Sequence, residues 1–447
     1  MENEDRKLDT NKLDLHIQVV ESQVTEEEVI EEIVDSGKVE DAFYVCDVSD
    51  IVEKHRHWEH VMTRIQPYYA VKCNSHRIVL ETLAALGTCF DCASKGEIRR
   101  VISLGVSPDR IIYAHPAKKI NHLLYAAEVG VTTMTFDNEC EMYKIKKYYP
   151  EAKLVLRIRY DDPTATFHLG EKFGAYPEDA KQLLAVARYL DLNVIGVSFH
   201  IGSSRGHNPD LNAFHGAIIA ARTVFDEADD LGFHFTLLDI GGGFCGNKGA
   251  TLYEVGAVIN DVLDRYFPET NIDVIAEPGQ YYVNSAFTLI TQVHTKKVLN
   301  GQEIARMYFT DVSVYNSMID VVFKVPFDMT PVKNRKPNSR KLPSIVWGAT
   351  CCSNDKISGD IIYLPELYIG DWLMIHDIGA YSISISSDFN GFPLPNVHAF
   401  IRKDDWVYLT EKIEQPVPKE KFVFGDSTDK YLLTGLTLPS RYTTNYF

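Results

Sequence analysis

The chain repeats one pattern of apolar and polar positions. A short apolar run gives way to a polar turn, an amphipathic stretch of helical period and a glycine, and then the next apolar run begins. Eight runs carry the pattern: YYAVK (68–72), CFDCAS (89–94), IIYAHP (111–116), TMTFD (133–137), LVLRIR (154–159), NVIGVSFHI (193–201), TLLDIGGG (236–243) and DVIAEPG (273–279). They are continuous rather than alternating in hydrophobicity, as strands buried on both faces are. Helix signals lie between them. Ser94 and Glu97 make an S-x-x-E capping box, Ile98, Val101 and Ile102 an apolar stripe, and Gly105 a stop; Asn138 with Glu141 repeats the start signal. Eight β/α units over about 220 residues predict a (β/α)8 barrel, with a doubly wound open sheet as the alternative.

After residue 283 the texture changes. FTLITQVHTKKV (287–298), RMYFTDV (306–312), SIVWGATC (344–351), DWLMIHD (371–377) and AYSISIS (380–386) are β-branched and aromatic, are bounded by turn residues and show little helical period. They predict a mostly β domain. FYVCDV (43–48) is expected to join it. The resulting division is an N-terminal segment 1–46 packed with the β domain, a barrel over 47–283, and the β domain over 284–447. A chain of 447 residues is long enough for both cores.

Polar residues gather where such a barrel has its active face, at the carboxyl ends of the strands. Lys72 ends the first run, Asp91 lies in the second, Arg157 and Arg159 end the fifth, His200 the sixth, Gly241, Gly242 and Gly243 the seventh, and Glu277 the eighth. A single strand-end lysine more often belongs to an ion pair than to a catalyst. Convergence on one rim favours chemistry. Glycine runs, with Gly202-Ser203-Ser204 beside them, expose backbone N–H groups to a phosphate. A lysine forms Schiff bases, a histidine stacks on a ring, and a carboxylate holds a pyridine nitrogen protonated. Pyridoxal phosphate needs all of these.

Composition narrows the reading further. A formal charge of −17 disfavours nucleic acid and anionic membrane as partners. No apolar run approaches the ~18–20 residues of a membrane helix. The charged start, MENEDRKLDTNKLD, resembles neither a secretory signal nor a mitochondrial presequence, so the cytosol is the expected compartment. Eight cysteines suit reduced thiols. Cys89 and Cys92 form a C-x-x-C without a second pair or nearby histidines, so buried packing is the better reading and no metal is expected.

The segments PYYAVKCNS, GTCFDCASKGEI, RIIYAHPAK, MTFDNE, LVLRI, FHIGSS, LDIGGGF, EPGQYYV, WGATCCSNDKI, GDWLMIHDIGAY and FNGF occur in the order and at the spacing seen in eukaryotic ornithine decarboxylases. Over about residues 15 to 400 the chain resembles that family, whose fold is similar to that of alanine racemase: a barrel holding pyridoxal phosphate, then a β domain, in a head-to-tail homodimer with active sites at the subunit interface. The resemblance implies Lys72 as the amine bonded to the cofactor, Glu277 on its pyridine nitrogen and His200 on its ring face. Ser203, Gly241, Gly242, Gly243, Gly279 and Tyr381 surround the phosphate, with Asp91 and Arg157 in support. Cys351, from the second subunit, controls return of a proton to the decarboxylated carbon.

Three positions depart from the family. Gln280 stands where the family has an arginine on the phosphate, which removes a charge-assisted contact. Lys324 and Cys352 stand where the family has two aspartates binding the far ammonium of ornithine. Like charges ~5 Å apart at an effective dielectric near 20 repel by about 3 kcal/mol, so diamino acids are expected to bind poorly. With Lys324 turned to water, Phe323 and Cys352 leave a neutral pocket of leucine size. The expected activity is decarboxylation of neutral aliphatic L-amino acids, leucine first. The alternatives are an acidic substrate paired with Lys324, ornithine itself, or a non-catalytic relative of the antizyme inhibitors. Residues 118–141 match the family's antizyme-binding region in position, although HLLYAA lacks a lysine usual there. The tail ending TTNYF does not resemble the family's degradation signal.

Overall fold

The structure is a computed structural model that describes residues 17–204, 206–300, 303–333 and 340–412 and the short strands Val423–Phe424 and Leu433–Thr434. The TTNYF tail lies outside the described residues. Eight parallel strands close into a barrel: β1 (Ile65–Ala70), β2 (Cys89–Cys92), β3 (Ile111–Tyr113), β4 (Thr133–Phe136), β5 (Lys153–Arg157), β6 (Asn193–Ser198), β7 (Leu237–Asp239) and β8 (Asp273–Ala276), with β8 pairing back onto β1. Ile112, Val155, Leu237 and Ile275 fill the interior, while the outward faces of the strands join the core shared with the surrounding helices. Burial on both faces explains why the runs do not alternate.

The helix starts follow the sequence signals with one adjustment each. Ser94 accepts from Glu97 N, but the Glu97 carboxylate takes the N–H of Ala93 rather than that of the cap residue. Asn138 accepts from Glu141 N, whereas the Glu141 side chain pairs with the buried Lys118 and with Lys144.

The second domain is a nine-stranded sheet. Phe43–Asp47 lies inside it, antiparallel to Phe287–Val298 and parallel to Asn396–Arg402, which in turn receives Ile17–Val20. The barrel is joined to this sheet through helix Val48–Val61, whose cap Asp47 accepts from Ser49 N and also holds Arg402. Among the described residues no helix is long and apolar enough to cross a membrane.

The stretch 380–386 is not a strand. It forms a 3-10 turn at Ile383–Ile385, its hydroxyls bonding carbonyls instead of leaving a ladder open: Ser382 Oγ donates to Ile378 O and Ser386 Oγ to Ser382 O, each 4 residues back, and Ser384 Oγ donates to Cys73 O of the barrel. Tyr381 has φ 53°, which also breaks an extended run.

Candidate active site

Lys72 lies two residues beyond β1. Val71 N donates to Asp91 O, and Cys73 N then turns back to Ala70 O, which takes Lys72 out of the ladder and over the barrel mouth. Its Nζ pairs with Asp91 Oδ2 on the neighbouring strand; Asp91 is wholly buried, whereas the lysine side chain is 39% exposed. Burial pushes the Lys72 ammonium down, but the charges of Asp91 and then Glu277 outweigh it and hold the group above the ordinary lysine range.

Glu277 follows β8 directly, and its N–H donates to Gly241 O. Burial, followed by the charges of Asp239 and Asp91, raises its carboxyl well above the usual range. Asp239 ends β7 on the adjacent strand, its Oδ1 accepting from Gly241 N at 2.9 Å, and burial pushes it up to about 7. Two neighbouring buried carboxyls of this kind share protons rather than ionise together. Arg157, at the end of β5, contributes positive charge to the same group and lies 5.5 Å from the centre of the Phe173 ring.

His200 follows β6. Gly202 N donates to its Nδ1 at 3.2 Å, so Nδ1 is an acceptor and the proton of the neutral ring sits on Nε2. Burial, then the charges of Arg157 and Lys72, keep its pKa far below the ordinary histidine value. Against this ring runs the glycine loop. Gly241 has φ 64°, and a Cβ at Gly242 would lie 2.7 Å from Glu277 O and 3.0 Å from His200 Nε2. Gly243 faces Gly202 O, and Gly279 packs on Ala70 and Cys73. The loop therefore presents bare backbone, the form that suits a phosphate. Tyr381 N donates to Cys73 O at 2.8 Å, placing that residue next to Lys72, whose ammonium it also influences.

Gln280 is buried at the edge of the loop. Its Nε2 donates to Ser204 O at 2.9 Å, and its Oε1 has no hydrogen-bond partner among the described residues. Ser203 exchanges both backbone hydrogen bonds with Phe167, and the Phe167 ring meets the Phe323 ring edge-on at 5.4 Å. Phe323 is thus one ring contact away from Ser203. Lys324, with φ 55°, is exposed on the same segment.

The two candidate cysteines, Cys351 and Cys352, lie elsewhere in this chain. Cys351 N donates to Asn390 Oδ1, and Cys352 contacts Thr350 and the Tyr315 hydroxyl, so among the described residues their polar contacts stay within the second domain. Arg159 Nε donates to Asp161 Oδ2 and its Nη1 to the Tyr176 hydroxyl. Cys89 and Cys92 are buried in β2, and burial raises both thiols.

Comparison with known proteins identifies the family. Residues 48–284 match the family model for the pyridoxal-dependent decarboxylase, pyridoxal binding domain. The chain is 42% identical over 402 residues to ornithine decarboxylase of Rattus norvegicus, covering 87% of this chain and 86% of the relative. The chain belongs to the ornithine decarboxylase-like family of pyridoxal-dependent decarboxylases. It is also 43% identical over 397 residues to antizyme inhibitor 2 of Xenopus laevis, with 85% of this chain and 86% of that one covered. The crystal structure of the Paramecium bursaria Chlorella virus arginine decarboxylase superposes with a TM-score of 0.80 at 37% identity, covering 83% of this chain and 100% of that one.

The protein is accordingly a pyridoxal phosphate-dependent carboxy-lyase. The residues present fit the cofactor. The glycine loop excludes any side chain where a phosphate would lie, Lys72 offers an amine at the mouth, and Asp91 Oδ1 is buried without a hydrogen-bond partner among the described residues. Three residues that contact the candidates were not singled out from the sequence: Asp239 bonds Gly241 N, Phe167 packs on Phe323 and Tyr315 bonds Cys352. Asp239 was legible, since it ends a strand directly before the glycines. Phe167 and Tyr315 carried no local signal, because their partners Phe323 and Cys352 are distant in sequence.

Proposed function

We propose that this chain decarboxylates neutral aliphatic L-amino acids, leucine first, to the primary amine and carbon dioxide. The observation that carries the reading is the aromatic contact of Phe323 with Phe167 beside Ser203. It puts apolar surface close to the phosphate loop, and the neighbouring Lys324 is exposed. A buried diammonium substrate needs carboxylates at its far end, and Lys324 and Cys352 offer none.

In this reading Gly241, Gly242, Gly243, Gly279, Ser203 and Tyr381 hold the cofactor phosphate, with Gln280 at its edge. Lys72 supplies the amine that bonds to the cofactor. When bound, pyridoxal phosphate supplies an electron-poor ring that accepts the pair left when carbon dioxide departs. Glu277, supported by Arg157, would hold the proton on the ring nitrogen, and neutral His200 would pack against the ring face. Asp91 keeps the Lys72 ammonium charged until its proton is passed on. Phe323 and Lys324, with Cys352 of a second copy of the chain, line the side-chain pocket. Cys351 controls return of a proton to the substrate carbon from a second copy of the chain, so the working unit is a homodimer in the cytosol. Mixing Lys72→Ala and Cys351→Ala proteins should restore activity at composite sites, and no recovery counts against that arrangement.

The direct test is carbon dioxide release from a panel of amino acids by purified, cofactor-loaded protein. Release from leucine above ornithine, lysine and glutamate is expected. No release from leucine, valine, isoleucine or methionine overturns the reading. The likeness to antizyme inhibitor 2 supports antizyme as a partner, with Ile120 and Leu124 exposed on helix Ile120–Val129 as the docking face. Co-migration with antizyme that Leu124→Glu abolishes is the expected result.

A further inference from the structure

Cys351 and Cys352 are adjacent in an irregular loop that belongs to neither helix nor strand. Cys351 is exposed and Cys352 half-buried, while Cys46, Cys73, Cys89, Cys92 and Cys245 are buried; Cys140 is the other exposed thiol. The flanks of the loop are pinned. Thr350 N and Oγ1 donate to Asp355 Oδ2 at 2.9 and 2.6 Å, and Asp355 N donates to Cys352 O. Tyr315 Oη donates to Cys352 Sγ at 3.0 Å, and the Phe389 ring, 4.8 Å away, packs on the tyrosine. The sulfur contact is first among the causes that hold the Tyr315 hydroxyl above its ordinary range, so its proton stays on oxygen. That donor fixes the sulfur and solvates the negative charge it carries as a nucleophile.

We propose that Cys351 and Cys352 are a vicinal dithiol that peroxide closes to an intrachain disulfide. The Cys351 thiolate attacks one peroxide oxygen and breaks the O–O bond, leaving a sulfenic acid and a hydroxide that takes up a proton as water. Cys352 sulfur then attacks Cys351 sulfur, the S–O bond breaks, and the departing hydroxide is protonated. Two thiols lose two electrons and two protons, and one peroxide becomes two waters. Adjacent Cα atoms are ~3.8 Å apart, closer than in ordinary disulfides, so the ring is strained and readily reduced. Oxidation here is therefore reversible. Its effect on turnover rests on the substrate reading above, since Cys352 lines that pocket; the closure itself does not.

The experiment treats reduced full-length protein with hydrogen peroxide, alkylates free thiols and maps peptides without reduction. The peptide carrying residues 351 and 352 should lose two hydrogens, escape alkylation and recover on adding dithiothreitol. In Cys352→Ser protein, Cys351 should instead persist as a sulfenic acid trapped by dimedone. Tyr315→Phe should slow closure several-fold at unchanged melting temperature. Alkylation of both thiols after peroxide, or cross-linking of two chains through Cys351, overturns the proposal. Closure in a protein that releases no carbon dioxide from leucine sinks the substrate reading and leaves the dithiol standing.

Discussion

Lys72 Nζ is paired with Asp91 Oδ2 across neighbouring strands, a charged amine over a carboxylate that is wholly buried. The aspartate makes the lysine an ammonium at neutral pH, against the burial that pushes the other way. Replacing Asp91 with Asn removes the opposing charge, so the Lys72 pKa should fall and the free amine should appear at lower pH. Titrating the rate of reductive methylation of Lys72 against pH, by peptide mass, measures this directly. The lysine is 39% exposed and the pair correspondingly screened, so folding should weaken by only about 1 kcal/mol.

Asp239 supplies a prediction of the opposite kind. Burial raises its folded-state pKa to about 7, while an unfolded aspartate titrates near ~3.9. Between those values the folded protein holds the proton more tightly. The protonated carboxyl therefore favours folding below about pH 4, and that contribution is lost as pH rises toward 7. Asp239→Asn cannot titrate. The melting temperature of cofactor-free wild type should fall relative to that of the variant across this window, by several degrees. Glu26 and Asp47, which burial also raises, are common to both proteins and cancel in the difference. Parallel curves would show that Asp239 is ionised throughout.

The glycine loop is tested by one methyl group. In Gly242→Ala the new Cβ would sit 2.7 Å from Glu277 O, a backbone atom that cannot swing aside. Overpacking of this kind costs about 1–3 kcal/mol, and with that strain borne by the loaded state the affinity for the cofactor should fall roughly 5- to 150-fold. Titration of the Schiff-base absorbance band gives the number. Unchanged affinity at unchanged fold would move the phosphate away from this loop.

The sequence already displayed the barrel because parallel strands buried on both faces form uninterrupted apolar runs, and each run is closed by its own turn residues. Lys72, His200 and Glu277 were legible for a related reason: a polar residue at the end of such a run has to be used. The same rule covers Asp239, which the pattern of glycines after it obscured. The stretch 380–386 misled because alternating serines and isoleucines imitate a half-buried strand, whereas those hydroxyls bond to the carbonyls of Ser382 and Cys73. Contacts such as Phe167 with Phe323 and Tyr315 with Cys352 depend on the way distant segments fold back, and no local period records them.

Specificity is tested by restoring acid at the two altered positions. Lys324→Asp with Cys352→Asp should gain ornithine decarboxylation and lose leucine turnover. Because Lys324 is exposed in this chain, the repulsion it exerts is screened toward the ~1 kcal/mol of two charges in water, so Lys324→Ala alone should improve ornithine turnover by less than about tenfold. The larger gain should need both carboxylates, which add attraction rather than only remove repulsion. A double variant that still prefers leucine would place the determinant elsewhere, with Phe323 the next residue to change.

Gln280 gives the last prediction. Its amide nitrogen is committed to Ser204 O, and among the described residues the buried carbonyl Oε1 has no donor, a loss of about 1–3 kcal/mol in a typical interior. A carbonyl acceptor beside a phosphate repels the anion. Gln280→Arg replaces it with fixed donors and a positive charge, and should tighten cofactor binding by about tenfold through charge-assisted hydrogen bonds. Gln280→Met separates the two contributions: it abolishes the Ser204 bond and the orphaned carbonyl together, adds no charge, and should leave affinity within a few-fold. Equilibrium dialysis of the cofactor against each protein, with inorganic phosphate as competitor, measures both. If arginine binds the cofactor no more tightly than methionine does, residue 280 does not face the phosphate, and the backbone of Gly241, Gly242 and Gly243 is left to hold it without help from this position.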